Sequence, residues 1–228
     1  MSAPAAAEFE IVRHPTARRI RLTLDPASGR ARLIVPKRAA LKSAVAWAQG
    51  KAEWIAEQRA RLPQPRPFAP GLVLTVADTV LTIDWQPGSR RRVEAVGETL
   101  SLSGPIETLP RRVETWLKRQ ALELLTEETA YYAARAGVTV ARVAIGDPRG
   151  RWGSCAHDGA IRYSWRLILA PGFVRRATVA HEVAHRVHMN HAPAFHALVA
   201  QLYGEDPTPA RAWLREHGAA LHWVGRSS

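Results

Sequence analysis

Residues 181–191 read HEVAHRVHMNH, and this stretch decides how the rest of the chain is interpreted. On an α-helix, residues four apart lie on one face, about 6 Å apart along the axis. The imidazoles of His181 and His185 would therefore point to a common position, with Glu182 beside them. Two histidines at this spacing with an adjacent glutamate are typical of zinc hydrolases. The stretch therefore predicts a helix that carries a catalytic Zn²⁺ site.

The flanking residues also favour a helix. Pro171 and Gly172 precede it, and apolar residues then recur at helical spacing. These residues are Phe173, Val174, Ala177, Ala180, Val183, Ala184 and Val187. We expect the helix to end at Met189-Asn190, because asparagine tolerates the left-handed conformation that ends helices.

Three histidines compete for the third ligand position. A continued helix would stack His188 along the same axis as His181 and His185, and imidazoles so stacked cannot surround an ion tetrahedrally. His196 is expected on the following helix and would need that helix to pack across the site. His191 needs only the turn before it. We therefore predict His181, His185 and His191 as the zinc ligands.

The predicted ligand set implies a catalytic rather than a structural metal site. Three neutral imidazoles leave one position of a tetrahedral zinc ion open for water. Zinc lowers the pKa of that water from about 15.7 toward roughly 7. Glu182 would accept the proton and pass it to the leaving amine. For stabilising the oxyanion, proximity in sequence offers Tyr163, Arg151 and His188 as candidates.

Composition restricts the class of protein. With 228 residues, of which 46% are hydrophobic, the chain can bury one large core or two small ones. No apolar run is long enough for a membrane span, and the start lacks the basic and apolar regions of a signal peptide. Cys155 is the single cysteine. These features predict a cytoplasmic protein without a membrane partner, and they leave the oligomeric state undetermined.

The net charge of +12 raises the alternative of a nucleic-acid partner. Neighbouring arginines could form a basic surface; they are residues 18–19, 90–92, 111–112 and 175–176. However, nearly all of the positive charge is arginine in an alanine-rich chain, which indicates compositional bias. Scattered solvated arginines are the favoured interpretation, and nucleic acid is an alternative partner that the sequence does not favour.

The chain divides into two predicted units. Residues 1–105 predict a β-rich unit, because apolar and polar residues alternate in several short segments. The segments are 18–24, 31–35, 72–76, 79–85, 91–96 and 99–102. This unit also contains one long helix, at 41–61, and a proline-rich connector at 62–70.

Residues 106–228 predict a catalytic domain. A helix at 107–136 ends at Gly137, strands follow at 138–145 and 160–169, and a glycine-rich loop separates these strands. After the metal helix we expect helices at 193–203 and 208–217. The order helix, strand, strand, metal helix predicts an α+β fold with a zincin-like domain. We expect the strand at 160–169 to form the edge on which an extended substrate docks.

Several of these motifs together resemble a known family. RWGSC at 151–155, VAHEVAH at 179–185, Asn190-His191 and Phe195 are similar to the YgjP-like metallopeptidases, and more distantly to the SprT-like zinc peptidases. The resemblance covers almost the whole chain. It implies the same three zinc ligands, Glu182 as the catalytic acid and base, and a peptide or protein substrate. Two residues depart from the family pattern: Ser164 replaces an expected Asn, and His196 an expected Trp.

Alternative interpretations remain open at this point. Cys155 could be a fourth ligand or a nucleophile, but we favour a small buried residue that shapes the preceding turn. The main alternative function is a nucleic-acid-associated zinc protein, or a protease acting on DNA-bound proteins. A weaker one is a zinc hydrolase of a non-peptide amide.

Overall fold

The structure is a computed structural model that describes residues 9–88 and 92–227. Helices and strands are both well represented, so the fold is α+β, as predicted. The chain divides into two compact units between Gln64 and Pro65. Residues 65–105 therefore belong to the same compact unit as the helices that follow them. The division into domains at 105/106 stays a prediction.

The first unit combines a small sheet with two short helices. Its strands are β1 (Phe9–His14), β2 (Arg21–Leu24) and β3 (Ala31–Pro36), with β3 in the centre, parallel to β1 and antiparallel to β2. We had not predicted β1. The helices are α1 (Leu41–Gln49) and α2 (Ala52–Ala60). The prediction of one continuous helix is wrong, because the chain breaks at Gly50, and glycine costs about 1 kcal/mol in a helix interior.

The second unit begins with a four-stranded sheet. Its strands are β4 (Val73–Val76), β5 (Thr79–Gln86), β6 (Glu94–Val96) and β7 (Thr99–Ser103), in the order β4-β5-β7-β6. The predicted segments at 72–76, 79–85 and 99–102 are confirmed to within a residue. Residue 91 of the segment predicted at 91–96 lies outside the described part of the chain.

A long helix, α3 (Leu109–Ala136), follows this sheet. It buries one apolar stripe that includes Val113, Leu117 and Leu125. Gly137 ends the helix in the left-handed conformation, with φ of 65°. Glycine adopts this conformation without steric cost. The predicted end of the helix is therefore confirmed.

The sheet that contains residues 160–164 corrects the prediction that an extended substrate docks on this strand. Its strands are β8 (Arg142–Gly146), β9 (Gly153–Cys155) and β10 (Ala160–Ser164), in the order β8-β10-β9. Strand β10 is paired on both sides and so cannot be the docking edge; β9 is an edge strand. The strand predicted at 160–169 is also too long. It ends at Ser164, whose hydroxyl accepts a hydrogen bond from the backbone N–H of Arg166 and caps a 3-10 helix.

Three further helices complete the unit: α4 (Gly172–Ala184), α5 (Pro193–Tyr203) and α6 (Thr208–Leu221). Helix α4 ends earlier than the predicted exit at Met189-Asn190. The N–H groups of Arg186 and Val187 bond three residues back, to Val183 and Ala184, which tightens the chain into a turn. Asn190 is not left-handed; its side chain accepts from the N–H of Ala192 instead.

The turn between β4 and β5 supports the start of α4. Asp78 has a positive φ of 68°, a conformation that aspartate tolerates better than most residues. Its Oδ1 accepts a hydrogen bond of 2.7 Å from the backbone N–H of Gly172. A carboxylate at this position stabilises a helix N-terminus through the hydrogen bond and the helix dipole. The strand pair after the prolines therefore helps to hold α4.

Two of the arginines are structural. Arg175 is buried and donates to Glu128, with Asp78 at 3.4 Å, so this member of the predicted basic surface does not face solvent. Arg166 is also buried; it pairs with Asp147 and donates to the carbonyls of residues 221 and 224. Residues 90 and 91 lie outside the described part. None of the described helices is long and apolar enough to cross a membrane.

Candidate metal centre

The structure brings three imidazoles together at the end of α4. His181 lies on the last turn of the helix, His185 is its C-terminal cap, and His191 lies in the connection to α5. One ring nitrogen from each lies within 4.8 Å of the others. The Nε2 atoms of His181 and His191 are 3.4 Å apart. Nitrogens around a tetrahedral zinc with bonds of about 2.0–2.1 Å are separated by about 3.3–3.4 Å. The separation of this pair therefore matches that of two ligands of one zinc ion, and the third nitrogen lies close enough to join them.

A hydrogen bond orients His185 for this role. Its Nδ1 lies 3.1 Å from the backbone carbonyl oxygen of His188. Because a carbonyl can only accept, Nδ1 carries the proton and Nε2 keeps a free lone pair. Such bonds to the second ring nitrogen commonly fix the tautomer and orientation of metal-binding histidines.

The surroundings of His181 and His185 favour the neutral imidazole, which is the form that binds metal. Burial and the nearby His185 and His191 lower the pKa of His181 to about 4. Burial also lowers the pKa of His185, partly offset by its hydrogen bond to the carbonyl of His188. Neither ring needs to lose a proton before binding an ion at neutral pH.

Phe195 supports all three rings from α5. It is fully buried, and its ring centroid lies 4.9 Å from that of His181, 4.5 Å from that of His185 and 4.8 Å from that of His191. An aromatic ring in this position restricts the motion of the imidazoles and excludes water from behind them. The sequence motif includes Phe195, but only the structure shows that its ring packs against all three imidazoles.

Glu182 is nearly buried beside the cluster, with 6% of its surface exposed. Burial raises the pKa of its carboxyl to about 7, although the positive charge of Arg151 lowers it. A bound cation would add to this lowering effect. A carboxylate with a pKa near the working pH is suited to exchange a proton with water.

Gly153 is a residue of the site that sequence reasoning missed. It lies on β9 with its backbone against the side chain of Glu182, where no β-carbon would fit. The signal in the sequence was the glycine of the RWGSC motif, to which we assigned no role. The motif places a residue without a side chain next to the carboxylate of Glu182.

In the described residues, none of the remaining predicted candidates belongs to the three-histidine cluster. The hydroxyl of Tyr163 is fully buried and shares a hydrogen bond of 3.0 Å with Thr129, so it cannot reach an oxyanion. Cys155 is not among the clustered ligands in the described residues, and burial raises the pKa of its thiol. His188 contributes a carbonyl, while His196 lines the adjacent cavity.

Comparison with known proteins identifies the class. The YgjP-like metallopeptidase domain matches residues 18–217. The chain therefore belongs to the YgjP-like metallopeptidase family, as the motifs suggested. Membership indicates a hydrolase with protein substrates and a metal ion, usually zinc, which agrees with the cluster of three histidines. Neither a curated protein nor a solved structure matches the chain.

Proposed function

We propose that the protein is a zinc-dependent metallopeptidase of the HExxH…H type with a zincin-like catalytic domain. His181, His185 and His191 hold the ion, and Glu182 is the general base. The observation that supports this most directly is the meeting of three imidazoles beside a buried carboxylate. A structural zinc site would be closed by four protein ligands, whereas only three cluster in the described residues.

The residues of the chain have separate tasks in this mechanism. When bound, zinc supplies Lewis acidity to a water molecule and to the substrate carbonyl. Glu182 accepts the proton of the attacking water and later gives it to the leaving amine. Arg151 lines the same cavity as Glu182, and its positive charge makes it our candidate for polarising the carbonyl.

Strand β9 is the place where an extended peptide would bind. It lies at the edge of its sheet, and Gly153 on it contacts Glu182. A peptide that pairs with an edge strand gains main-chain hydrogen bonds without regard to its side chains. This arrangement would hold the scissile bond near the carboxylate and the three imidazoles.

Metal analysis together with cleavage assays would test the proposal. We expect about one zinc per chain and cleavage of a quenched peptide library by the wild type. Glu182→Gln should keep the metal and lose activity by roughly 10²–10⁴-fold, because only the proton acceptor is removed. Loss of zinc from a folded Glu182→Gln protein, or retention of most of the activity, would contradict the assigned role.

One observation supports the alternative of nucleic-acid association. A cavity of about 800 Å³ beside the start of α3 is lined by four arginines and only one acidic residue, Glu107. The arginines are Arg92, Arg111, Arg112 and Arg119. Arg92 and Arg119 pair with Glu94 and Glu123, which leaves Arg111 and Arg112 without a carboxylate partner among the described residues. A positive surface attracts a polyanion, and about two phosphate contacts would weaken binding roughly tenfold between 50 and 200 mM salt.

Fluorescence anisotropy with a labelled duplex would test this alternative. Arg111→Glu should reduce both the affinity and the slope of log K against log salt. Arg142→Glu, the same change at an exposed site outside this cavity, is the matched control. Equal binding by the two variants would remove the cavity as a nucleic-acid site.

A further inference from the structure

A second cavity opens directly beside the candidate metal centre. It has a volume of about 270 Å³, and His181, Glu182 and Gly153 line one side of it. Cavities that enclose whole small-molecule ligands measure about 300–1,000 Å³. The volume therefore suits a single large side chain of a substrate bound along β9.

Much of the lining of this cavity is apolar. Its walls come from the loop before β9 and from helices α4, α5 and α6. The apolar lining residues are Trp152, Ala177, Val199, Pro207, Ala210 and Leu214. An aliphatic or aromatic side chain would lose its contact with water there, which favours binding by about 25 cal/mol for each Å² of apolar surface buried.

The wall formed by Trp152 is held firmly. Its indole ring lies over the imidazole of His222, with centroids 5.2 Å apart. Gly218 of α6 packs against the indole ring of Trp152, and a β-carbon at position 218 would be 2.7 Å from Cζ2 of that ring. This wall of the cavity is therefore fixed by packing against α6 and His222.

A guanidinium group lies on the wall from α6. Arg211 is exposed and lines the cavity, and its charge acts on His181. Within the described residues it forms no side-chain hydrogen bond or ion pair. Asp206 senses its charge, but that carboxylate bonds the backbone N–H of Thr208 at 2.9 Å. The buried arginines Arg166 and Arg175, in contrast, are each paired with carboxylates.

We propose that this cavity selects substrates with an apolar side chain next to the scissile bond and a carboxylate close to that side chain, which Arg211 binds. The proposal rests on the proposed peptidase function and names its substrate class. Arginine presents a planar fork that matches a carboxylate in two parallel hydrogen bonds. The carboxylate comes either from the C-terminus of the peptide or from an Asp or Glu side chain.

Four peptides would distinguish these two sources. Each carries one Phe in a Gly/Ser/Ala background and differs in the residue or end group that follows it. The first ends in a free carboxylate one residue after Phe, and the second is its amide. The third and fourth are amides with Asp or Asn after Phe. The zinc-loaded full-length protein is assayed for kcat/KM on each, and mass spectrometry maps the cleavage sites.

The wild type should prefer a carboxylate-bearing peptide over its neutral partner by about tenfold or more, as expected for hydrogen bonds to a charged group. A difference between acid and amide identifies the C-terminus, whereas a difference between Asp and Asn identifies a side chain. Arg211→Glu should abolish or reverse the preference. Arg215→Glu, one turn further along α6 and outside the cavity, should retain it.

Equilibrium binding of the same peptides to zinc-loaded Glu182→Gln gives a second readout that does not depend on turnover. Cleavage of charged and neutral peptides within twofold of each other, or a preference unchanged in Arg211→Glu, would overturn the inference while leaving the peptidase function intact. If the zinc-loaded wild type cleaved neither these peptides nor an unfolded protein, the proposed function would fail, and the inference with it.

Discussion

The backbone of Gly153 lies directly against the side chain of Glu182. A β-carbon at position 153 would be 2.5 Å from Cγ and 2.6 Å from Cδ of the glutamate. Real β-carbons do not approach other atoms this closely, and the contact includes the middle of the side chain as well as its mobile end. The conformation of Glu182 therefore depends on the absence of a side chain at position 153.

Gly153→Ala should lower kcat/KM by roughly 10²-fold or more, because Glu182, the proposed general base, would be displaced by about an ångström. The zinc content should remain at the wild-type level, since the three histidines are unchanged. Gly150→Ala is the matched control, because a β-carbon there meets no atom within 4 Å. Wild-type activity in Gly153→Ala would show that Glu182 has room to move without loss of function.

The zinc content of histidine variants checks the ligand assignment. His191→Ala should lose most of the metal, because it removes one of the three clustered nitrogens. His188→Ala should keep the metal, since His188 contributes its backbone carbonyl, which the substitution leaves in place. His196→Ala should keep it as well. A full zinc complement in a folded His191→Ala protein would refute the assignment.

The buried pair between Arg175 and Glu128 should be important for stability. The side chains are 4% and 12% exposed, and Nε of Arg175 lies 2.9 Å from Oε1 of Glu128. Arg175→Leu would leave the carboxylate buried without its partner, so we expect a loss of about 3–5 kcal/mol in the free energy of unfolding. The exposed neighbour serves as a control: Arg176→Leu should change this free energy by less than about 0.5 kcal/mol.

Asp147 should contribute to stability in a pH-dependent manner. Burial raises the pKa of its carboxyl, but the hydrogen bonds and charge of Arg166 outweigh this effect, so the pKa is lowered. A lowered pKa gives stability that is present above the ordinary range of a carboxyl, about pH 4, and is lost as the pH falls through the folded pKa.

Urea denaturation with EDTA present, so that metal loss does not contribute, would measure this dependence. Asp147→Asn should be less stable than the wild type at pH 7, and the difference should shrink as the pH falls below about 4. Glu216→Gln, at an exposed position, should show no such trend. A difference between wild type and Asp147→Asn that stays constant down to pH 2 would argue against the ionic contribution.

The three histidines predicted from local pattern lie together in the structure, and their role as metal ligands stays a prediction. The spacing of His181 and His185 and the glycine at position 137 act within a few residues, so periodicity and turn preferences predicted a metal helix and the end of α3. The choice of His191 over His188 followed from the geometry of a rigid helix. Each of these predictions depends on short-range physics, which a sequence displays directly.

Predictions that depended on long-range packing were less successful. Strand β10 has the alternation of a half-exposed strand, yet β8 and β9 pair with both of its edges. The sequence predicts Arg175 as part of a basic surface, but its carboxylate partners, Glu128 and Asp78, come from distant parts of the chain. The contact between Gly153 and Glu182 joins a strand to a helix 29 positions away in sequence, and no pattern in one sequence indicates it.

The hydrogen bonds of Arg166 have a practical consequence for shortened versions of this protein. Its Nη1 donates to the carbonyl oxygens of Leu221 at 2.6 Å and Val224 at 2.9 Å, whereas the family match stops at residue 217. A protein trimmed to the matched segment would leave a buried guanidinium with two fewer acceptors. It would also lose His222, whose imidazole packs against the indole ring of Trp152. The last turns of the chain thus hold one wall of the cavity in place, and expression trials that remove them would assay a protein in which this cavity is altered.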